Sequence, residues 1–447
     1  MSVPPIHPVP EDQRLHSIDT LRGIALLGIL LLNIPFFALP DRYSESFRTD
    51  LGSIDYWIRT FNNIVFEGKM RAIFSIVFGV GILLFMKKED QVSNKRLVVW
   101  AYFRRMGWLI VFGLVDAHLI LWEGDILYHY GVVGMIAVWF RRWKPIYLAI
   151  GFPIVALVEF VAGTLFFQEI RSQRLAYREV VKELRAGADT TESHRLTIDA
   201  WRQSELTFLP NEQDIASNTQ KMKSGYATVA EKVRKAAFTF QSNYLIFAIW
   251  DPLVLMLLGM ALFKSGFFTY EWSARQYKKA IWWGYGLGVP IVIWEAYYHY
   301  VHFPTFASIM QHLDKTAVPW HNLLYPVQRI LLSTAHCSVV LVCLQKGYFT
   351  GIFTRLAAVG RMALTNYIMQ AVFATLFFFG YGLNFFAELA YHQIFYFVLA
   401  VWAVQLVWSP WWLSRYHYGP LEWLWRCLTY REWQPLRKKK SDFSPKG

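Results

Sequence analysis

Apolar residues in this chain come in blocks of about twenty, set apart by short clusters of charge. A block of that length crosses a hydrocarbon layer of about 30 Å as an α-helix, the one open segment that pairs all its own backbone groups in lipid. The pattern predicts ten spans, near residues 20–40, 64–86, 103–122, 124–140, 145–167, 243–263, 279–301, 322–345, 357–380 and 387–410. A membrane barrel would instead show alternating segments of roughly ten residues. The expected fold class is all-α: a polytopic membrane helix bundle of about ten transmembrane helices.

Residues 168–242 interrupt the series. They are charged, with helical periodicity over 169–185, 199–209 and 227–240 and breaks at Gly187, Pro210 and Gly225. The chain therefore divides into an amino-terminal segment 1–19, a first bundle of five spans 20–167, a helical insertion 168–242, a second bundle of five spans 243–410 and a basic tail 411–447. The insertion reads either as a solvated excursion or as a lid over an outer cavity.

Charge orients this arrangement. The formal net charge of +13 does not point to nucleic acid, because the basic residues sit between apolar blocks. One side holds Lys87, Lys88, Lys95, Arg96, Arg104 and Arg105, then Arg141, Arg142 and Lys144, then Lys264, Arg275, Lys278 and Lys279, then Lys346 and Arg355, and finally the tail with Arg437, Lys438, Lys439 and Lys440. The short loops opposite hold Arg42, Arg48, Arg59 and Lys315. By the positive-inside rule both termini are cytoplasmic and the insertion lies outside. The first apolar block reads as an anchor that is retained. The three cysteines offer no disulfide framework and no zinc spacing.

An ionisable side chain at mid-bilayer costs about 2.5–3.5 kcal/mol on insertion scales, so each one needs a partner or a wet cavity. In the outer half lie Asn33, Glu67 and Arg71, Asp116 and His118, Asp125 and His129, Glu295 and His299, Gln328 and Arg329, and Asn366 and Gln370. Their similar depth on seven spans predicts a shared polar cavity opening outward, the alternative being separate satisfied pairs. Asn33, Glu67, Arg71, Glu295, Arg329, Asn366 and Gln370 are its expected substrate-binding set. His118 is the candidate acid or base, with Glu123 and Asp125 beside it, although Asp125 after Gly124 is equally an N-cap. A second set lies at the inner edge: Asp19 and Arg22, Arg104 and Arg105, Arg361, and Glu422 with Arg426. These read as snorkelling anchors in an aromatic belt, or as a site for an anionic donor or lipid headgroup. No metal site is expected.

Several motifs carry a resemblance: Arg14-Leu-His-Ser-Ile-Asp-Thr-Leu-Arg-Gly and on to Asn33; Arg71-Ala-Ile-Phe-Ser-Ile-Val-Phe-Gly; Trp122-Glu-Gly-Asp-Ile-Leu; Gly360-Arg-Met-Ala-Leu-Thr-Asn-Tyr-Ile-Met-Gln; and Gly419-Pro-Leu-Glu-Trp-Leu-Trp-Arg. Through them most of the chain outside 168–242 resembles the YeiB-like family of bacterial membrane proteins (domain of unknown function 418). The first motif is also similar to that of transmembrane acyltransferases such as the heparan-glucosaminide N-acetyltransferases. Those enzymes pass an acyl group from a cytoplasmic thioester to a sugar across the membrane. That resemblance implies an inner-membrane location, an acyl thioester donor facing Asp19, Arg22, Arg105, Glu422 and Arg426, and a cell-envelope sugar or lipid as acceptor. Many of those enzymes carry an Arg, ten residues, then a His; here Arg22 leads to Asn33, and His118 is the nearest other base. A transporter or lipid-handling protein is the alternative, with membrane lipids as partners and homo-oligomerisation left open.

Overall fold

The computed structural model describes residues 15–40, 50–208 and 212–438. Arg14, Arg42, Arg48, Pro210, Lys439 and Lys440, used above, lie outside the described residues. Among those described, the chain is helical apart from turns and one isolated bridge between Tyr416 and Arg437.

Helix α1 (His16–Ala38) is apolar all round and buried along most of its length. Helix α2 (Ile54–Val65) is capped by Ser53, whose hydroxyl accepts the Asp55 N–H at 3.1 Å. Its face with Ile54, Trp57 and Phe61 is 58–59% exposed. The chain then reverses at Gly68, with φ of 73°. A β-carbon there would fall 2.5 Å from Tyr325 Oη, so both conformation and space call for glycine. Helix α3 (Lys69–Met86) follows, then α4 (Lys95–Val115), which widens into a π turn over Asp116–Ile120 and ends at Leu121 with φ of 70°. Helix α5 (Leu127–Ala137) leads to α6 (Pro145–Arg185), a single 41-residue helix that passes unbroken through residue 167, where the sequence pattern ends the span. Proline at its first position and Gly187 with φ of 93° beyond its end bound it.

The rest of the insertion is α7 (Glu192–Phe208), α8 (Glu212–Met222) and α9 (Tyr226–Gln241). Then come α10 (Trp250–Lys264), α11 (Ala274–His302), α12 (Phe306–Lys315), α13 (Leu324–Gln345), α14 (Thr350–Arg361), α15 (Ala363–Phe378), α16 (Ile394–Arg415) and α17 (Pro420–Tyr430). Capping boxes at Ser273/Gln276 and Thr305/Ser308 start α11 and α12.

Packing brings α10 against α3 and α6, α11 along α13, α4 against α5, and α1 against α14. The last pair meets backbone to backbone: a β-carbon on Gly23 would fall 2.0 Å from the Leu356 carbonyl, and one on Gly360 1.9 Å from that of Asp19. Two of the motif glycines therefore exist for close helix approach.

Among the described residues seven helices are long and apolar enough to cross a membrane: His16–Ala38, Ile54–Asp90, Lys95–Ile120, Pro145–Arg185, Leu245–Lys264, Trp320–Gln345 and Ile394–Arg415. Of the ten expected, the other three fall short for identifiable reasons. Helix α5 has 11 residues, and the ninth span is split at Met362 into α14 and the 16-residue α15. Helix α11 has the length, at 29 residues, but its tryptophans, tyrosines and glycines lower its hydropathy.

Candidate functional site

A cavity of about 920 Å³ lies among α2, α6, α7, α11, α12 and α13. Its charged lining residues are Arg59, Glu67, Lys69, Glu205 and Glu295, of which Glu67, Lys69 and Glu295 lie together. Lys69 is 1% exposed, donates from Nζ to the Asn63 carbonyl at 3.0 Å, and is close enough to Glu67 and Glu295 for direct attraction. One turn along α11 begins an imidazole group: His299 and His321 have ring centres 6.0 Å apart, and His321 and His312 5.9 Å. Burial and neighbouring His302 hold the His312 imidazole below its ordinary range, which keeps it neutral near pH 7. An apolar and aromatic stretch of wall comes from Phe166, Phe167 and Ile170 on α6 and Ile309, Met310 and Leu313 on α12. Trp201 and Glu205 of the insertion also line it.

Beside this cavity an ion cluster ties four helices together. Asp251 on α10 binds Arg329 of α13 at 2.5 Å and Arg71 of α3 at 3.1 Å, and Glu159 of α6 lies 3.7 Å from Arg329. Arg329 is 1% exposed and its guanidinium faces the Tyr325 ring at 4.8 Å. The expected Glu67–Arg71 pair on one helix face does not form. Gly68 turns the chain between them, so Glu67 precedes α3 and points to the cavity while Arg71 turns to Asp251.

His118, Glu123 and Asp125 are elsewhere. His118 Nε2 contacts Gln241 Oε1 of α9 at 3.0 Å, and its carbonyl accepts from Arg234 at 2.8 Å. Asp125 caps α5, accepting the Leu127 and Tyr128 N–H groups at 3.1 and 2.9 Å. His129 meets the Asp125 backbone carbonyl at 3.3 Å, rather than its carboxylate. Asp116 is fully buried with its carboxyl against that of Asp125, close enough for the two to interact directly. Glu123 lines a narrow cleft against the insertion with Trp122 and Lys232.

Asn366 and Gln370 form a third, internal group. Asn366 donates to Ser409 at 3.0 Å, Gln370 to Gln405 at 2.9 Å, and Gln405 back to the Asn366 carbonyl at 2.9 Å, joining α15 to α16. Asn33 is half-buried on α1 and does not line the large cavity. These polar residues thus fall into separate groups, with Asn33 in none of them, in place of one shared cavity, because depth along a helix does not determine which way a side chain faces.

At the other end, Arg22 binds Asp19 at 3.3 Å as its spacing predicts. Glu422 does not pair with Arg426. It caps α15, accepting the Leu364 and Thr365 N–H groups at 2.6 and 3.0 Å and the Thr365 hydroxyl at 2.6 Å. Burial pushes the Glu422 carboxyl above the ordinary carboxylate range, with these hydrogen bonds pulling the other way. A folded-state value above the unfolded one gives a contribution complete below about pH 4.3 and lost as pH rises through the folded-state value. Thermal melts across pH should therefore show wild type losing stability relative to Glu422→Gln from about pH 4 upward. Parallel curves would show that this carboxyl is not perturbed.

Lys69, Asp251, Glu159, His312 and His321 were not among the residues singled out from the sequence. Glu159 stood alone in an apolar block, which was a usable signal. Asp251 before Pro252 looks like a helix start, and Lys69 like one more interfacial base.

An all-α, multi-pass membrane protein with a buried ion cluster beside an amphipathic cavity is the class defined so far. Residues 262–432 match the family described as "Protein of unknown function (DUF418)". Over nearly its whole length the chain is similar to the uncharacterized protein YxaH of Bacillus subtilis, at 28% identity covering 97% of this chain and 98% of the relative. It is likewise similar to the uncharacterized protein YeiB of Escherichia coli, at 28% identity covering 96% of this chain and 100% of the relative. An uncharacterized 39.9 kDa protein of Bacillus acidopullulyticus is 24% identical over 97% of this chain and 99% of its own. The likeness to these bacterial proteins thus extends over nearly the whole chain. No solved structure matches it.

Proposed function

We propose that the protein is an inner-membrane lipid-handling protein that takes an amphipathic molecule into the large cavity. The polar group of that molecule meets Glu67, Lys69 and Glu295, and its apolar part lies along α6 and α12. The observation that carries this reading is the make-up of the cavity: about 920 Å³, with ionisable side chains beside an aromatic and aliphatic wall. Small-molecule sites typically enclose about 300–1,000 Å³ with a few placed polar groups in an apolar lining. Helix α2 supports entry from the bilayer, since Ile54, Trp57 and Phe61 face outward while Tyr56, Arg59 and Asn63 line the cavity. In this reading the chain has ten spans and cytoplasmic termini, and the cavity opens toward the outer leaflet under α7.

Acyl transfer from a thioester to a cell-envelope sugar or lipid is the second reading. It draws on the buried acid pair Asp116 and Asp125 close in sequence to His118. One preparation tests both. Purified protein is extracted for bound lipid by mass spectrometry, and a parallel sample is mixed with acyl thioesters and assayed for free thiol. Lipid handling predicts one enriched amphipath at near-stoichiometric amount and no thiol release. Thiol release that His118→Ala abolishes would establish transfer. Bulk membrane lipid alone, without thiol release, overturns both.

A further inference from the structure

Where α3 ends and α4 begins, ionisable side chains gather with almost no counter-charge. Lys88, just past α3, is 6% exposed; its Nζ donates to Tyr430 Oη at 2.6 Å and lies 4.9 Å from the Phe85 ring. Arg105 on α4 stacks on Trp425 at 3.6 Å and stands 5.7 Å from the same Phe85 ring. Arg426 on α17 lies over Tyr418 at 4.4 Å and is close enough to Lys88 and Arg105 to repel both. Arg22 reaches in from α1 beside Gly81, one turn before Phe85, and also repels Arg105.

The carboxylate in this group is Asp19, paired to Arg22. Among the described residues no carboxylate pairs with Lys88, Arg105 or Arg426. Glu422, one turn from Arg426 on the same helix, is occupied in capping α15. The absence is local, for at the same end of the bundle Glu89 binds Arg141 at 2.8 Å and Arg142 at 3.5 Å. Aromatic faces offset part of the cost of gathering cations, but they leave the mutual repulsion and the unused guanidinium donors in place.

We infer that Lys88, Arg105, Arg426 and Arg22 form a binding site for a phosphate group, carried either by a lipid headgroup or by a soluble phosphate compound. Guanidinium forks match phosphate oxygens in pairs, and an ammonium adds a point charge. The site uses α1, α3, α4 and α17, none of which except the start of α3 touches the large cavity, so the two proposals stand or fall separately.

The test uses the full chain in a detergent with a neutral headgroup. Inorganic phosphate and pyrophosphate are titrated by thermal shift, and retention of phosphatidylglycerol against phosphatidylcholine is measured by native mass spectrometry. Loss of a charge-assisted contact lowers affinity about tenfold. That loss is expected for Arg105→Gln and Arg426→Gln, partly restored in Arg105→Lys, and absent in the control Arg275→Gln. Arg426 is only half-buried, so its variant guards against a folding defect at Arg105. Saturable stabilisation by phosphate that the variants lose identifies a soluble ligand. Selective phosphatidylglycerol retention that they lose, without a phosphate response, identifies a headgroup. No saturable, variant-sensitive effect with either probe overturns the inference.

Discussion

Replacing Asp251 with alanine is expected to leave little folded protein. Asp251 holds Arg329 at 2.5 Å and Arg71 at 3.1 Å, and Arg329 is 1% exposed. Removing the acid strands a buried guanidinium at the junction of α3, α6, α10 and α13, with only Glu159 at 3.7 Å to answer it. Breaking a buried pair from one side costs about 3–5 kcal/mol, against a total stability of about 5–15 kcal/mol for a typical domain. Fluorescence-detected size-exclusion chromatography and melting in detergent would show a collapsed monodisperse peak. Asp251→Asn should be milder, since it keeps shape and one acceptor. The double variant Asp251→Leu/Arg329→Met should recover much of the loss, because both partners of the buried pair become apolar; Arg71, whose side chain is 44% exposed, can turn away. A melting curve for Asp251→Ala that matches wild type would mean the cluster is not what joins these helices.

Filling the large cavity is the second strong test. Ala296 on α11 lines it one residue beyond Glu295. In Ala296→Trp an indole projects into space that an amphipath would need, while the helix keeps its backbone hydrogen bonds and its packing along α13. Retained amphipath should fall about tenfold or more, equivalent to at least 1.4 kcal/mol of binding, with the melting temperature of the ligand-free protein little changed. The two readouts separate occupancy from folding. Undiminished retention in this variant would place the bound lipid outside the cavity.

Much of the architecture was legible in the chain. A hydrocarbon solvent forces long apolar blocks to be helices, and seven of the expected spans appear as such. Helical periodicity also marked the helix seen as Tyr226–Gln241. Span five hid a different fact, because nothing local tells a chain that α6 should stop at the membrane surface. Its helical pattern continues to Arg185, and so does the helix.

The site was less legible. Glu67 and Arg71 had the spacing of a helical pair, but Gly68 with φ of 73° separates them, and such a turn is a choice among conformations open to glycine. His118 and Asp125 shared a depth with Glu295, yet they face α9 and the start of α5.

From hydropathy along the chain follow the helices and the blocks long enough to span a membrane. Which acid meets which base was decided only in three dimensions. The azimuth of each helix depends on all its neighbours at once, on contacts such as Gly23 against Leu356 and on the pull of Asp251 on two arginines from different helices. A rotation of a fraction of a turn leaves hydropathy unchanged and sends a carboxylate to a different partner.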